Sequence, residues 1–164
     1  MICDLSTVIH NDGAVLEFSD TLLIEEGACG TDISFEDGVF VNGSITCRGN
    51  VLELSAHVEG AFCVGCARCL KPLHQEISFD FEETLALEGE EVTDQDSVIV
   101  FSGTELELSE IVVSNLLLNL SYKYLCSEDC KGLCSKCGAD LNLGDCGCEK
   151  DEIDPRWEKL KNFK

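Results

Sequence analysis

Residues 125–148, LCSEDCKGLCSKCGADLNLGDCGC, place six cysteines within twenty-four positions. A second group, CVGCARCLKPL, begins at Cys63. Thiols at this density cross-link as disulfides, hold a soft metal, or exchange electrons. The chain has 12 cysteines in all. Its opening residues, MICDLSTVIH, show neither the basic start nor the apolar run of a secretory signal. The expected location is therefore cytoplasmic, where reducing conditions favour metal ligation over disulfides for clustered cysteines.

The spacing supports zinc. Cys134-Ser-Lys-Cys137-Gly138 is a knuckle pattern: two intervening residues let both sulfurs reach one ion, and the glycine relieves the tight turn. Cys126 and Cys130 precede it, and Cys146 and Cys148 follow. With Cys66 and Cys69 the candidates number eight, enough for two tetrahedral Cys₄ sites. One division sets Cys134, Cys137, Cys146 and Cys148 on one ion and Cys66, Cys69, Cys126 and Cys130 on another. A rival places a single ion on Cys130, Cys134, Cys137 and Cys146. Spacing alone leaves both open, because Cys146 and Cys148 would point opposite ways on an extended chain. The expected cofactor is thus one or two structural Zn²⁺ ions.

The alternative is an iron–thiolate redox or electron-transfer protein. Cys63-x₂-Cys66-x₂-Cys69 matches three positions of a ferredoxin run, but Leu73 replaces the fourth cysteine and Pro72 comes too early. A redox CxxC opens a helix in a βαβ unit, whereas this one follows strands. Cys3, Cys29 and Cys47 stand alone and read as buried filler.

No catalytic set accompanies the cysteines. His10, His57 and His74 are scattered, with His57 in a strand and His74 in a loop, and each reads as structural or surface. There is no glycine-rich phosphate loop, serine nucleophile elbow or HExxH motif. The expectation is a protein that is not an enzyme.

The elements that must position the cysteines are mostly strands. Val39–Cys47 and Val51–Cys63 alternate on either side of Arg48-Gly49-Asn50, a turn. In the second run Val51, Glu53, Ser55, His57 and Glu59 share one face. Leu52, Leu54, Ala56, Val58 and Ala61 share the other, with a slip near Gly60 that predicts a bulge. Residues 73–87, 14–26 and 97–101 supply further strands, and Gly89–Gln95 an acidic loop. Ser109 is the expected N-cap of an apolar helix running to Leu120. Asp154 and Pro155 open a short closing helix carrying Trp157 and Leu160. The predicted fold class is α+β: a mostly antiparallel β-sheet or barrel-like body with a buried helix over 1–120, and a small C-terminal zinc-binding segment over 121–164.

Charge divides the same way. Residues 1–120 hold three basic side chains (Arg48, Arg68, Lys71) against twenty-three acidic ones, a net of −20, while residues 121–164 are nearly neutral at −1. The body therefore repels phosphate and suits a basic protein partner or simple solubility. Direct RNA contact is expected only through the C-terminal segment, on Lys123, Lys131, Lys136 and Lys150 with Tyr122, Tyr124 and Trp157 as stacking faces. No apolar stretch is long enough to span a membrane.

These residues in this order resemble a known family. VEGAFCVGCARCLKPL, ISFDFEETL, LELSEIVVSNLLLNL, the cysteine segment and DPRWEKLKNF together are similar to the YceD family, large ribosomal RNA subunit accumulation proteins, in its branch with a cysteine-rich tail. The likeness is weakest over residues 1–35. It implies a role in 23S rRNA accumulation or processing and ribosome biogenesis, without a known catalytic reaction. It also implies partners such as a basic ribosomal protein or the pre-ribosomal large subunit. The extra Cys63 before the pair offers an alternative ligand to Cys66.

Overall fold

The computed structural model describes residues 1–148 except 26, 31, 50 and 91–97, together with Arg156. Asn50, Ser97, most of the acidic loop, and all of the closing helix but Arg156 lie outside the described residues. In chain order the elements are β1 (Ile2–Asp4), β2 (Val15–Leu22), β3 (Ile33–Ser34), β4 (Val39–Arg48), β5 (Val51–Gly65), β6 (Pro72–Leu87), β7 (Val98–Phe101), β8 (Glu105–Glu107) and α1 (Leu108–Asn119).

Alternation builds the main sheet. Leu52, Leu54, Ala56, Val58, Phe62 and Val64 of β5 are buried, as are Val39, Val41, Ile45 and Cys47 of β4. The intervening residues face outward and are mostly polar, as a sheet with one wet face requires. The order is β2-β4-β5-β6-β7, with β3 beside the far end of β5 and β1 paired separately with β8. The pairings of β2, β4, β5 and β6 are antiparallel, and β7 joins β6 in parallel.

The strand pattern predicts a barrel-like body. The sheet curls into an open half-barrel, with β2 and β7 at the ends of its order. The apolar side of α1, Leu108, Ile111, Val112 and Leu116, joins the same buried core. Asn115 ties the helix to the sheet by donating to Glu83 of β6 at 2.9 Å. Leu117 and Leu118, which widen the apolar stripe in sequence, are exposed.

Gly43 of β4 leaves no room for a side chain against β5. A Cβ there would sit 2.3 Å from the Ser55 carbonyl oxygen and 2.8 Å from the Ala56 Cβ. Because the first obstacle is backbone, a side chain forces the strands apart. Gly43→Val is expected to destabilise the fold by about 1–3 kcal/mol, the usual cost of overpacking, read as a lower midpoint in urea.

Three local expectations need correction. No bulge forms at Gly60: β5 and β6 keep one register from Val51↔Ala86 to Gly65↔Pro72. Gly60 takes an inward position whose side-chain space is filled by Val39, with Cγ1 2.9 Å from an ideal Cβ. Ala61 therefore faces out and Phe62 in. The N-cap of α1 is Glu107 rather than Ser109: its carboxylate accepts from the Ser109 N–H, while fully buried Leu108 draws the first turn into the core. His74 lies within β6, not in a loop. Among the described residues, no helix is long and apolar enough to cross a membrane.

Candidate metal centres

The β5–β6 hairpin ends in residues 66–71, CARCLK. The Cys66 N–H donates to the Lys71 carbonyl and the Leu70 N–H to the Cys66 carbonyl, both at 2.9 Å. Leu70 adopts a left-handed φ of 59°, so the chain doubles back at once. This compact tip carries Cys66 and Cys69 away from the sheet.

The segment after α1 returns to that tip. The Ala67 N–H donates to the Tyr124 carbonyl at 2.9 Å, and the Leu133 N–H to the Arg68 carbonyl at 3.2 Å. Arg68 Nη1 donates to the carbonyls of Glu128 (3.1 Å) and Cys130 (2.7 Å). Gly132 permits the approach: its φ is +76°, and a Cβ would lie 2.9 Å from the Arg68 carbonyl oxygen. Gly132→Ala combines left-handed strain with a backbone clash. It is expected to cost about 1–3 kcal/mol and to make residues 126–133 exchange their amides faster.

Docking assembles four thiols. Cys66 Sγ lies 3.9 Å from Cys130 Sγ, and Cys69 Sγ lies 3.6 Å from Cys126 Sγ. All four sulfurs fall within 4.8 Å of one another. Cys66, Cys69 and Cys130 are buried and Cys126 is exposed. The Cys126 N–H points at the Cys66 sulfur (3.4 Å), and the Asn142 amide at the Cys130 sulfur (3.5 Å).

The second group is built within the tail. The Gly138 N–H donates to the Cys134 carbonyl and the Cys134 N–H to the Ala139 carbonyl, both at 2.8 Å. This closes the knuckle, with Gly138 at φ +73°. Gly147, at φ +72°, bends the chain between Cys146 and Cys148. The sulfurs of Cys134, Cys137, Cys146 and Cys148 then lie within 4.8 Å of one another.

Four thiolates about 2.3 Å from one central ion form a tetrahedron with edges of about 3.8 Å. The separations of 3.6 and 3.9 Å bracket that edge, so the donor set fits a single four-coordinate ion. An iron–sulfur cluster places several of its own atoms between the cysteine sulfurs, and sulfurs all within 4.8 Å leave no room for it. All twelve cysteines are unlinked.

The protein prepares each group for a cation. Backbone N–H groups of Arg68, Cys69 and Cys126 hold the Cys66 pKa down at about 6. Those of Cys137 and Lys136, helped by the Cys146 thiol, do the same for Cys134, again to about 6. At Cys69 the Lys71 N–H pulls down, but burial and the neighbouring thiols outweigh it and push the group up to about 12. The Cys137 and Cys146 thiols push Cys148 up to about 12. Each set thus holds at least one thiol that ionises readily and at least one that resists.

The eight candidate ligands fall into the first of the two divisions. The single-ion set of Cys130, Cys134, Cys137 and Cys146 does not form, because Cys130 joins the hairpin group. Cys63 does not replace Cys66: it lies outside both groups and pairs with His74. Of the isolated cysteines, Cys29 and Cys47 are buried and Cys3 is half-buried. Tyr124 is half-buried. Its ring meets Phe62 edge-on at 5.5 Å, and its hydroxyl accepts from the Ser121 N–H at 2.9 Å. Tyr122, Lys123, Lys131 and Lys136 are exposed, while Lys150 and Trp157 lie outside the described residues. Arg68, Gly132, Asn142 and Gly147 escape a search for ligand types; the glycine two residues after Cys130 and the one between Cys146 and Cys148 are the signals that point to them.

Comparison with known proteins places the cysteine-bearing part of the chain in one family. The family model for "Large ribosomal RNA subunit accumulation protein YceD" matches residues 54–164, from β5 through the whole cysteine tail. An uncharacterized protein of Mycobacterium tuberculosis is 28% identical over 179 residues, covering 98% of this chain and 79% of that protein. The chloroplastic "Large ribosomal RNA subunit accumulation protein YCED homolog 1" of Zea mays is 26% identical over 146 residues, covering 70% of this chain and 50% of the maize protein. Its counterpart in Arabidopsis thaliana is 33% identical over 60 residues, 37% of this chain and 19% of that one. No solved structure matches. With well over half of its length matched, the chain belongs to the YceD family of large ribosomal RNA subunit accumulation proteins.

Proposed function

We propose that this protein is a non-enzymatic cytoplasmic factor for accumulation and processing of large-subunit ribosomal RNA, with structural zinc on both cysteine groups. Family membership carries the reading of the role. The maize relative bears that role in its name. Zinc is the natural ion for four thiolates in a closed tetrahedral set, and it supplies a cross-link without redox chemistry. On this reading Cys66, Cys69, Cys126 and Cys130 join residues 121–164 to the 1–120 body, and Cys134, Cys137, Cys146 and Cys148 fold the tail's own loop.

The partner is a basic ribosomal protein or a basic surface of the pre-ribosomal large subunit. A body carrying −20 repels an RNA backbone at long range, before any short contact can form. RNA contact falls to the C-terminal segment, where Tyr122 and Lys123 stand exposed.

Depletion of the protein, followed by measurement of mature large-subunit against small-subunit rRNA, tests the role. The ratio is expected to fall and the large subunit to be under-represented in sucrose gradients. An unchanged ratio with normal gradients contradicts it.

A further inference from the structure

Cys3, Cys29, Cys47 and Cys63 lie outside the two metal groups. Burial pushes the Cys3 and Cys29 thiols up, away from ionisation. Cys47 is buried, with its sulfur aimed at the Gly49 carbonyl. Cys63 differs from all three. The β5–β6 register sets it opposite His74, and its Sγ lies 3.1 Å from His74 Nδ1. On its other side, β3 sets Ser34 opposite it. Its chain neighbours Phe62 and Val64 are buried, so the thiol and the imidazole share the outer face. A cavity of about 190 Å³ opens beside them, with Ser34, Glu36 and Asp37 in its wall.

A nucleophilic thiol needs three things: access, a group to take its proton, and room for the co-reactant. Among the described residues, Cys63 is the one cysteine outside the metal groups with a base within hydrogen-bond reach. We propose that Cys63 is a thiol-modification site. With His74 as proton acceptor, it forms a mixed disulfide with a small neutral or cationic disulfide while, on the zinc reading above, eight of the other eleven cysteines are held on metal.

In the step, the Cys63 proton passes to His74 Nδ1. The sulfur attacks one sulfur of the incoming disulfide, whose S–S bond breaks as the new one forms. Cys63 is oxidised to the disulfide level, and the departing sulfur is reduced and takes the proton from His74. Glu36 and Asp37 line the cavity, and Glu76 lies two residues from His74 on the same face of β6. Their charge disfavours anionic disulfides.

The test treats the reduced, full-length protein with cystamine, quenches with acid and maps adducts by peptide mass spectrometry, with metal content measured alongside. Cys63 is expected to react first, at least about tenfold faster than Cys3. His74→Gln should slow Cys63 by at least about tenfold without changing bound metal or the Cys3 rate. Oxidised glutathione should react about tenfold more slowly than cystamine. A Cys63 rate no higher than that of Cys3, or one unmoved by His74→Gln, overturns the proposal. If the protein carries no metal, Cys66 and Cys134 react too. That result sinks the zinc reading, while the ratio of wild type to His74→Gln at Cys63 still decides the role of the imidazole.

Discussion

Replacing Cys69 by serine is expected to free residues 121–148 from the hairpin tip and to remove about one equivalent of bound metal. Cys69 belongs to the group that joins two distant stretches of chain, 66–69 and 126–130. Among the described residues, the hydrogen bonds across that junction run from Ala67 to Tyr124, from Arg68 to Glu128 and Cys130, from Leu133 to Arg68 and from Cys126 to the Cys66 sulfur. Each contributes about 0.5–1.5 kcal/mol net. A structural zinc site here would contribute on the order of 10 kcal/mol and so dominate the attachment. Elemental analysis reads the lost equivalent, and amide hydrogen exchange reads the loosened tail. Cys134→Ser should also lose about one equivalent, yet leave residues 121–133 as protected as before. If Cys69→Ser keeps its metal and its protection, the clasp does not exist.

Acidification should strip both sites steeply. A metal-bound thiolate carries no proton, so the loaded site binds fewer protons than the empty one, and affinity falls as pH falls. At neutral pH Cys66 and Cys134, held near a pKa of about 6, are already ionised in the empty protein. Cys69 and Cys148, pushed up to about 12, are not. Loading each site at pH 7 therefore releases roughly two to three protons, and affinity drops roughly 10²–10³-fold per pH unit. Competition titrations with a chromophoric chelator between pH 7.5 and 6 check the slope. A slope near zero would mean that thiolates are not the ligands.

Side-chain chemistry made the candidate ligands legible, whereas backbone geometry decided how they divide. A cysteine count and a knuckle spacing find eight candidates. The assignment of Cys130 to the hairpin group depends on Gly132 approaching Arg68, and the joint use of Cys146 and Cys148 depends on the turn at Gly147. Neither is visible to a reading that counts sulfurs. The long strands β4, β5 and β6 are legible because ten or more residues express the alternation. β1, β3 and β8 have two or three residues each and offer no period to read. Gly60 misleads because an inward position without a side chain looks like a slipped register. Glu107 is missed because serine is the commoner cap, and only the burial of Leu108 decides between them. The Cys63–His74 pair needs the β5–β6 register, which the six-residue tip fixes only once its fold is known.

Native mass spectrometry of the purified, intact protein tests the central claim most directly. Zinc clasping distant thiolates predicts a mass heavier than the bare chain by two zinc ions less the displaced protons, from a colourless sample. The bare mass, a mass lowered by disulfides, or visible iron–thiolate absorption would contradict it.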